Sequence, residues 1–427
     1  MKKLALLLCV VLTFTGCSSF MGKSNITNLL EAPKFSQTES EIADAIDDYI
    51  GENISLRYSH SQGYSSPVQL IDIDGDGAEE AVVFYYAPNK GANIRMALLK
   101  NTADGWEIVM DKEGLGTEVF YFSTVELEGL STKQILAGYL TANIDENFFA
   151  AYFTDPEYNI PDYAESCQNI IVGDVTYDGY DDIILTNRVS DGRIRLRSFD
   201  FTDNGFRLVG TRLLKFANID ITQLKLAESL GGEVVLYADY RSEYNQMHTE
   251  GMVFRDGGKM FDAFASTVVS KQWEYARNLN CTDIDGDGYM ETPSVINDVA
   301  GGELAVLKTV EWTDYTLEQP VRKYIGIYDT QHGLFAAVPD SWQGNVEKEY
   351  TDDGWMIYRK SDAENAEDDK TERLLFTVKQ VEYRNNIETG AYSYIIYKDT
   401  KTWHFDFTKN VELSEIQHIL KSVKDLS

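Results

Sequence analysis

The stretch Leu70-Ile-Asp-Ile-Asp-Gly-Asp-Gly-Ala-Glu-Glu-Ala-Val-Val-Phe84 carries the pattern that decides the fold. In it, an acidic, glycine-rich loop leads directly into an apolar run. The pattern recurs as Gly173-Asp-Val-Thr-Tyr-Asp-Gly-Tyr-Asp-Asp-Ile-Ile-Leu185 and as Thr282-Asp-Ile-Asp-Gly-Asp-Gly-Tyr-Met-Glu-Thr-Pro293. Self-similarity at a regular distance is the sequence signature of a repeat architecture. The chain is therefore expected to consist of copies of one structural unit.

Two further segments, 125–137 and 224–236, keep the apolar frame of this pattern but have lost its acids. The first loop positions of the five segments are spaced by 54, 48, 51 and 58 residues, and these positions are Asp72, Glu126, Asp174, Lys225 and Asp283. A period of about fifty residues is typical of a propeller blade. The sequence therefore predicts a mainly β fold, a β-propeller of about five to seven blades.

The third unit shows the internal order that a blade requires. Its loop is followed by β-rich runs at 182–188, 193–201 and 206–214. The turns between these runs contain Gly, Asp and Asn, the residues that adopt positive φ most readily. Each unit is thus expected to form an antiparallel sheet that must pack on its neighbours to bury both faces.

Acidic side chains alternate along each of the three loops, so that they point toward one centre. Oxygen ligands in this number suit Ca²⁺ rather than Zn²⁺, and the loop glycines allow the backbone to wrap an ion. We expect up to three structural calcium sites. The predicted ligands are Asp72, Asp74, Asp76, Glu80 and the Ala78 carbonyl in the first loop, Asp174, Thr176, Asp178, Asp182 and the Tyr180 carbonyl in the second, and Asp283, Asp285, Asp287, Glu291 and the Tyr289 carbonyl in the third.

The opening of each loop overlaps the EF-hand pattern, but that loop needs a glutamate at position 12, where the first unit has Val83. A loop followed by a β-strand resembles the FG-GAP/VCBS repeats of integrin-α-like propellers, over roughly residues 55–325. In the second loop Thr176 replaces an aspartate, which leaves open whether this loop holds calcium. Two roles remain open for the ions, a structural clip within each blade or calcium sensing and ligand bridging, and the clip is favoured.

Residues 1–16 have the features of a bacterial signal peptide. Lys2 and Lys3 precede an apolar run that is shorter than the roughly 20 residues needed to span a bilayer. Thr15 and Gly16 before Cys17 resemble the lipobox of bacterial lipoproteins, which implies that the Cys17 thiol carries a lipid. We expect a lipid-anchored tether over 17–37 and an extracytoplasmic protein attached to the bacterial cell membrane. The alternative is an ordinary cleaved signal with an incidental cysteine.

The formal net charge of −31 restricts the partners of this protein. An acidic surface repels phosphate backbones, so nucleic-acid binding is not expected, whereas divalent cations are natural partners. Beyond Cys9 and Cys17, the cysteines are Cys167 and Cys281, which we interpret as buried and unpaired.

The two ends of the chain outside the repeats have their own patterns. Thr38 and Glu41 indicate a capping box at the start of a helix, which we group with the propeller in a domain over 38–324. After about residue 324 the acidic loops cease, and four β candidates and a closing helix follow. We expect a small α+β domain over 325–427 that folds independently.

No catalytic motif is found, and the five histidines are scattered without metal-ligand spacing, so we predict no catalytic residue. The favoured function is a binding or scaffold module of the cell envelope, with an extracellular glycan or an envelope protein as ligand. The alternative is a glycan-active lyase or hydrolase on a propeller scaffold. Tyrosine-rich loops at 58–64 and 240–245 are the candidate ligand contacts.

Overall fold

The computed structural model describes residues 36–51, 53–60, 66–141, 147–155, 161–202, 205–244, 246–264, 269–271, 279–296, 306–351, 354–361, 370–381, 392–398 and 401–426. The predicted signal peptide, Cys17 and nearly all of the predicted tether lie outside the described residues. None of the helices in the described ranges combines the length and the apolarity needed to cross a bilayer.

The protein is mainly β, as predicted. Within the described ranges its strands form six separate antiparallel sheets, and none of these sheets closes on itself. By compactness the chain divides into two units, one ending near residue 114 and one containing almost all of the following residues.

The first unit contains the N-terminal helix, Gln37–Ile50, and the first sheet. The strands of the first sheet are β1 (Ser55–Arg57), β2 (Val68–Ile71), β3 (Glu80–Tyr86), β4 (Arg95–Thr102) and β5 (Gly105–Glu113). Strand β3 is buried along almost its whole length, which explains its unbroken apolar sequence. Both Ile42 and Ile46 of the helix are fully buried in the core that this sheet forms.

The helix begins two residues earlier than the sequence indicated. Its N-cap is Ser36, whose hydroxyl accepts a hydrogen bond from the Glu39 amide, while the Glu39 carboxylate accepts one from the Ser36 amide. The capping box predicted at Thr38 and Glu41 is therefore wrong. Both pairs satisfy the same spacing rule, and sequence spacing alone does not distinguish them.

The second unit contains the other five sheets. The second sheet consists of β6 (Glu118–Val125), β7 (Gln134–Leu140), β8 (Asn147–Tyr152) and β9 (Tyr163–Cys167); the third of β10 (Asn169–Gly173), β11 (Asp182–Arg188), β12 (Ile194–Thr202) and β13 (Gly205–Leu213); the fourth of β14 (Asn218–Glu228), β15 (Val234–Ser242), β16 (Met247–Arg255), β17 (Lys259–Asp262) and β18 (Val269–Lys271).

The last two sheets are formed by the C-terminal part of the chain. The fifth sheet consists of β19 (Thr292–Ile296), β20 (Leu307–Asp314), β21 (Val321–Asp329), β22 (Leu334–Ala337) and β28 (Lys424–Asp425); the sixth of β23 (Val346–Thr351), β24 (Gly354–Arg359), β25 (Leu374–Gln380), β26 (Tyr392–Lys398) and β27 (Lys401–Phe407). A helical turn over Lys370–Arg373 and a helix over Leu413–Ser422 accompany the sixth sheet.

Successive sheets of the second unit share their cores. Alternate side chains of β11 serve two neighbours, since Ile183 and Leu185 pack with Phe149 of the second sheet, whereas Ile184 packs with Leu236 of the fourth. A central strand that is buried on both faces requires the continuous apolar run seen in the sequence. The third sheet is thus buried between its two neighbours along the chain.

The fifth and sixth sheets also share one core, with Ile325 and Ile327 packed in the same cluster as Trp355 and Phe376. The predicted domain boundary at residue 325 falls inside strand β21, which pairs with β20 on the other side of that boundary. The boundary therefore does not coincide with a gap between sheets. The predicted closing helix is present, and its buried residues include Ile416 and Ile419.

Candidate metal centre

The three acidic loops occupy the same place in three different sheets. The first joins β2 to β3 and the second joins β10 to β11, while the third is closed by the Thr282–Glu291 bridge directly before β19. Each loop ends on a buried acidic residue at or next to the start of a strand. This common position explains why the loop pattern and the apolar run that follows it recur together in the sequence.

Two hydrogen bonds are common to the three loops, and the first of them joins loop positions 1 and 6. The aspartate at loop position 1 accepts from the glycine amide at position 6, with distances of 3.2 Å from Gly77, 3.0 Å from Gly179 and 3.0 Å from Gly288. These glycines have φ values of 88°, 89° and 94°, where a side chain would be strained. The first aspartate and the glycine together fold the loop around its centre.

The first and third loops each bring three carboxylates together. One oxygen from each member of the triads Asp72, Asp74, Glu80 and Asp283, Asp285, Glu291 lies within 4.8 Å of the others. These are loop positions 1, 3 and 9. Like charges at this separation repel one another, so each triad is suited to a cation.

The aspartates at position 5 do not join the triads. Asp76 accepts a hydrogen bond from the Ala78 amide at 2.7 Å, and Asp287 accepts one from the Tyr289 amide at 3.0 Å. Asp178 makes the equivalent bond with the Tyr180 amide at 2.9 Å. The position-5 carboxylates thus close the tip of each loop, and the position-7 carbonyls of Ala78, Tyr180 and Tyr289 stay predicted ligands.

The position-9 acid of the third loop, Glu291, is completely buried. One of its oxygens, Oε2, accepts from the Ile284 amide at 3.0 Å, while Oε1 is buried without a hydrogen-bond partner within the described part of the chain. Burial, reinforced by Asp285, raises the pKa of Glu291 to about 8. A divalent cation would compensate this buried carboxylate.

The second loop differs at positions 3 and 4. The Thr176 hydroxyl donates to Asp182 Oδ2 at 3.0 Å, and the Val175 amide donates to the same oxygen at 2.9 Å. Burial raises the pKa of Asp182 to about 6. No carboxylate triad forms among the described residues of this loop. The sequence left open whether this loop holds calcium. In the structure, hydrogen bonds from Thr176 and Val175 to Asp182 replace the contacts of an aspartate at position 3.

Position 4 of the second loop is also distinctive. Tyr177 has φ 62°, where the first and third loops have Gly75 and Gly286 at 74° and 80°. Its hydroxyl donates to the Gly232 carbonyl at 3.2 Å and accepts from the Val234 amide. These contacts tie the second loop to the turn before β15 in the fourth sheet.

One charged neighbour of the third loop could not be found from sequence. Lys323, in strand β21, places its Nζ 3.2 Å from Asp285 Oδ2 and 2.5 Å from Asp287 Oδ2. Nothing in the local sequence around Lys323 marks it, because the contact depends on how the strands of the fifth sheet pair. A cleft of about 390 Å³ lies beside it, lined partly by Tyr324, Asp340, Glu415 and His418.

The tyrosines proposed as ligand contacts differ in accessibility. Tyr240 is buried and donates its hydroxyl hydrogen bond to Glu250 Oε1 at 2.6 Å, so its assignment to an exposed loop is wrong. Tyr58 and Tyr244 are exposed, whereas Tyr64 and Asn245 lie outside the described residues. Cys167 and Cys281 are buried, as predicted, and within the described residues they form no disulfide bond.

The arrangement can bind hard cations at two places through oxygen ligands alone.

No protein-family model matches this chain, and no curated protein matches it. Among solved structures, the chain is similar to a hypothetical protein from Leishmania major, with 10% identity, coverage of 64% of this chain and 89% of that chain, and a TM-score of 0.19.

Proposed function

We propose that this protein is a calcium-stabilised binding or scaffold module of the bacterial cell envelope, anchored through a lipid on Cys17. The observation that carries the proposal is the recurrence of one acidic loop at the same position in separate sheets, with a carboxylate triad in two of the three copies. A loop repeated in this way belongs to the construction of the sheets that carry it. A catalytic centre would be built once.

Calcium is the ion that the donor set favours. The triads offer only carboxylate oxygens, and the predicted position-7 carbonyls would add a further oxygen to each loop. Ca²⁺ accepts six to eight such ligands in irregular geometry, whereas Mg²⁺ requires a near-octahedral arrangement and Zn²⁺ prefers nitrogen or sulfur. A nine-residue loop that supplies carboxylate oxygens from several positions suits Ca²⁺, because this ion accepts an irregular arrangement of ligands.

The ions would act as clips. In the third loop, the ligands Asp283 and Asp285 lie in the loop, and the buried Glu291 lies directly before strand β19. An ion held by all three ties the loop to the sheet, and its binding free energy then becomes folding free energy. Without the ion, this contribution to the folding free energy is lost.

We further propose that the sheets are blades of a propeller related to the FG-GAP/VCBS repeats. The shared cores of successive sheets in the second unit support this arrangement, because blades pack face to face in chain order. Each sheet consists mostly of strands that are consecutive in the chain, as blades do. The position of the acidic loops before a buried strand agrees with the repeat pattern.

The proposed ligand is an extracellular glycan or another envelope protein. The exposed tyrosines Tyr177, Tyr180 and Tyr244 offer rings to such a partner, and the strongly acidic composition disfavours anionic polymers. A glycan and peptide array on the purified protein tests this part. Saturable binding without product supports the module, whereas turnover of a bound polysaccharide would replace it with an enzyme.

Calcium titration by calorimetry tests the central claim. The wild-type protein should bind calcium at two sites, and the Asp74→Asn/Asp285→Asn double variant should bind none at those loops. Thr176→Asn, a change at the same position of the second loop, is the matched control and should leave both sites intact. Unaltered calcium binding in the double variant would refute the assignment.

The anchor is tested separately. Cys17→Ala should release the protein from membranes or leave it unprocessed, because a single thiol would carry the lipid. Detergent-phase partitioning measures this directly. A variant that partitions like the wild-type protein would exclude lipidation of Cys17 without affecting the calcium assignment.

A further inference from the structure

The third acidic loop already has a cation among its carboxylates. The Lys323 ammonium lies 3.2 Å from Asp285 Oδ2, 2.5 Å from Asp287 Oδ2 and 3.9 Å from Glu291 Oε1. Asp285 and Glu291 are two of the three members of the triad. Lys323 therefore contacts the same groups that would hold a metal ion.

Two observations indicate that this place is built for a positive charge. Glu291 is completely buried, and its Oε1 faces the ammonium without accepting any hydrogen bond within the described ranges. The Lys323 side chain is itself only 18% exposed, so solvent weakens its ion pairs less than those of a surface lysine. The ammonium comes from strand β21, two strands away from the loop in the fifth sheet.

We propose that Lys323 is a built-in competitor for the calcium ion of the third loop, so that this loop exchanges an internal ammonium for external calcium. The inference rests on the proposed calcium function and specifies how one of its sites is regulated. A calcium ion bound to Asp285 and Glu291 would lie within a few ångströms of the ammonium. Two positive charges at that distance repel each other, and calcium must displace or tolerate Lys323 to bind.

The consequence is a loop that is held together over a wide range of calcium concentration. At low calcium the ammonium neutralises part of the acidic charge, and at high calcium the divalent ion replaces it. Lys323 also lines the cleft beside the loop, together with Arg322, Asp340 and Glu415, so a displaced ammonium would remain near two carboxylates. The third loop should bind calcium more weakly than it would without the lysine.

Calcium affinity in an Asp74→Asn background isolates the third loop in the full-length protein. Adding Lys323→Met should tighten calcium binding by about tenfold, because one repelling charge is removed close to the ion. The matched control is Arg322→Met in the same background. Arg322 neighbours Lys323 and carries the same charge, but it pairs with Asp340 instead of the loop, at 3.4 Å. The control should change affinity by less than about twofold, as expected for a screened surface charge.

Thermal stability is a second readout, in which the expected effect of Lys323→Met depends on whether calcium is present. In chelator, Lys323→Met should lower the melting temperature, because it leaves the acids of the loop without their ammonium; in saturating calcium this loss should vanish or reverse. Lys323→Arg keeps the charge and should retain the weak calcium affinity. Equal affinities for the Asp74→Asn protein with and without Lys323→Met would overturn the competition but leave calcium binding standing. Absence of calcium binding to the third loop in both proteins would overturn the proposed function of that loop as well.

Discussion

The second and third acidic loops share a backbone frame but use different chemistry to stabilise it. In both, the position-1 aspartate accepts the position-6 glycine amide at 3.0 Å. The third loop also brings three carboxylates together. In the second loop, Thr176 donates a hydrogen bond to Asp182, and Tyr177 donates one to the fourth sheet. Both loops also share the bond from the position-7 amide to the position-5 aspartate, so none of these shared contacts depends on an acid at position 3. The acid at position 3 adds a cation site.

The largest expected effect comes from removing the ions that would distinguish these loops. Chelation should destabilise the wild-type protein by about 5 kcal/mol relative to calcium at a hundred times the Kd, since each of two sites contributes about 2.7 kcal/mol. Asp74→Asn and Asp285→Asn should each remove about half of this difference. Chemical denaturation with and without chelator measures it.

The control for that experiment is Thr176→Asn. It changes the second loop at the matching position and should alter stability equally in calcium and in chelator. A calcium-dependent loss in this variant would show that the second loop also holds an ion, and the distinction between the loops would then be lost.

The next effect is the pH dependence that Asp182 of the second loop contributes. The pKa of Asp182 is raised to about 6 by burial, so the folded protein holds a proton that the unfolded chain releases near pH 4. The stability contributed by this group is therefore complete below about pH 4 and is lost as the pH rises through about 6. The linked loss is on the order of 2 to 3 kcal/mol.

Asp182→Asn should abolish this dependence, because an amide does not ionise in this range. Denaturation of both proteins at several pH values in calcium-free buffer measures the difference between them. If that difference were constant from pH 4 to 7, the carboxyl of Asp182 would have an ordinary pKa in the folded protein.

A smaller effect is expected from converting the second loop to the chemistry of the third. Thr176→Asp with Tyr177→Gly restores the acid at position 3 and the glycine at position 4. The variant should gain calcium-dependent stability of about 1.4 kcal/mol at ten times the new Kd. Terbium luminescence and melting in calcium detect the gain, and a variant that binds no ion would show that the frame differs in some further respect.

The smallest effect concerns the tyrosine contact itself. Tyr177→Phe removes the hydroxyl that bonds to Gly232 and Val234, and it should cost about 1 kcal/mol irrespective of calcium. Tyr180→Phe, in the same loop, is the control for general loss of a hydroxyl. Equal stabilities of the two variants would mean that the contact to the fourth sheet contributes nothing.

Much of this architecture follows from short-range sequence information. The run predicted at Asp182–Arg188 is strand β11 at the same residues, because an unbroken apolar run after a glycine-rich loop permits few alternatives. The triads follow similarly, since positions 1, 3 and 9 of one loop are close in space whenever the loop is tight. The threonine at position 3 likewise marked the second loop as different.

Features that depend on distant parts of the chain escaped prediction. Lys323 reaches the third loop because of strand pairing in the fifth sheet, and Tyr240 is buried because Glu250 on the neighbouring strand offers it an acceptor. The boundary at 325 followed the disappearance of acidic loops, yet β21 continues through it. The end of a sequence motif therefore need not coincide with the end of a sheet, because the hydrogen bonds between strands determine where a sheet ends.

The short strand Lys424–Asp425 has a consequence for the order of assembly. It pairs with β22 of the fifth sheet, although the whole sixth sheet lies between them in the chain. Until these residues have been made and have folded back, the backbone of Leu334 and Phe335 lacks these pairing partners and can pair with a strand of another chain. A chain truncated before residue 424 would therefore expose an unpaired strand edge in an otherwise folded protein. Self-association should be the first sign of incomplete synthesis.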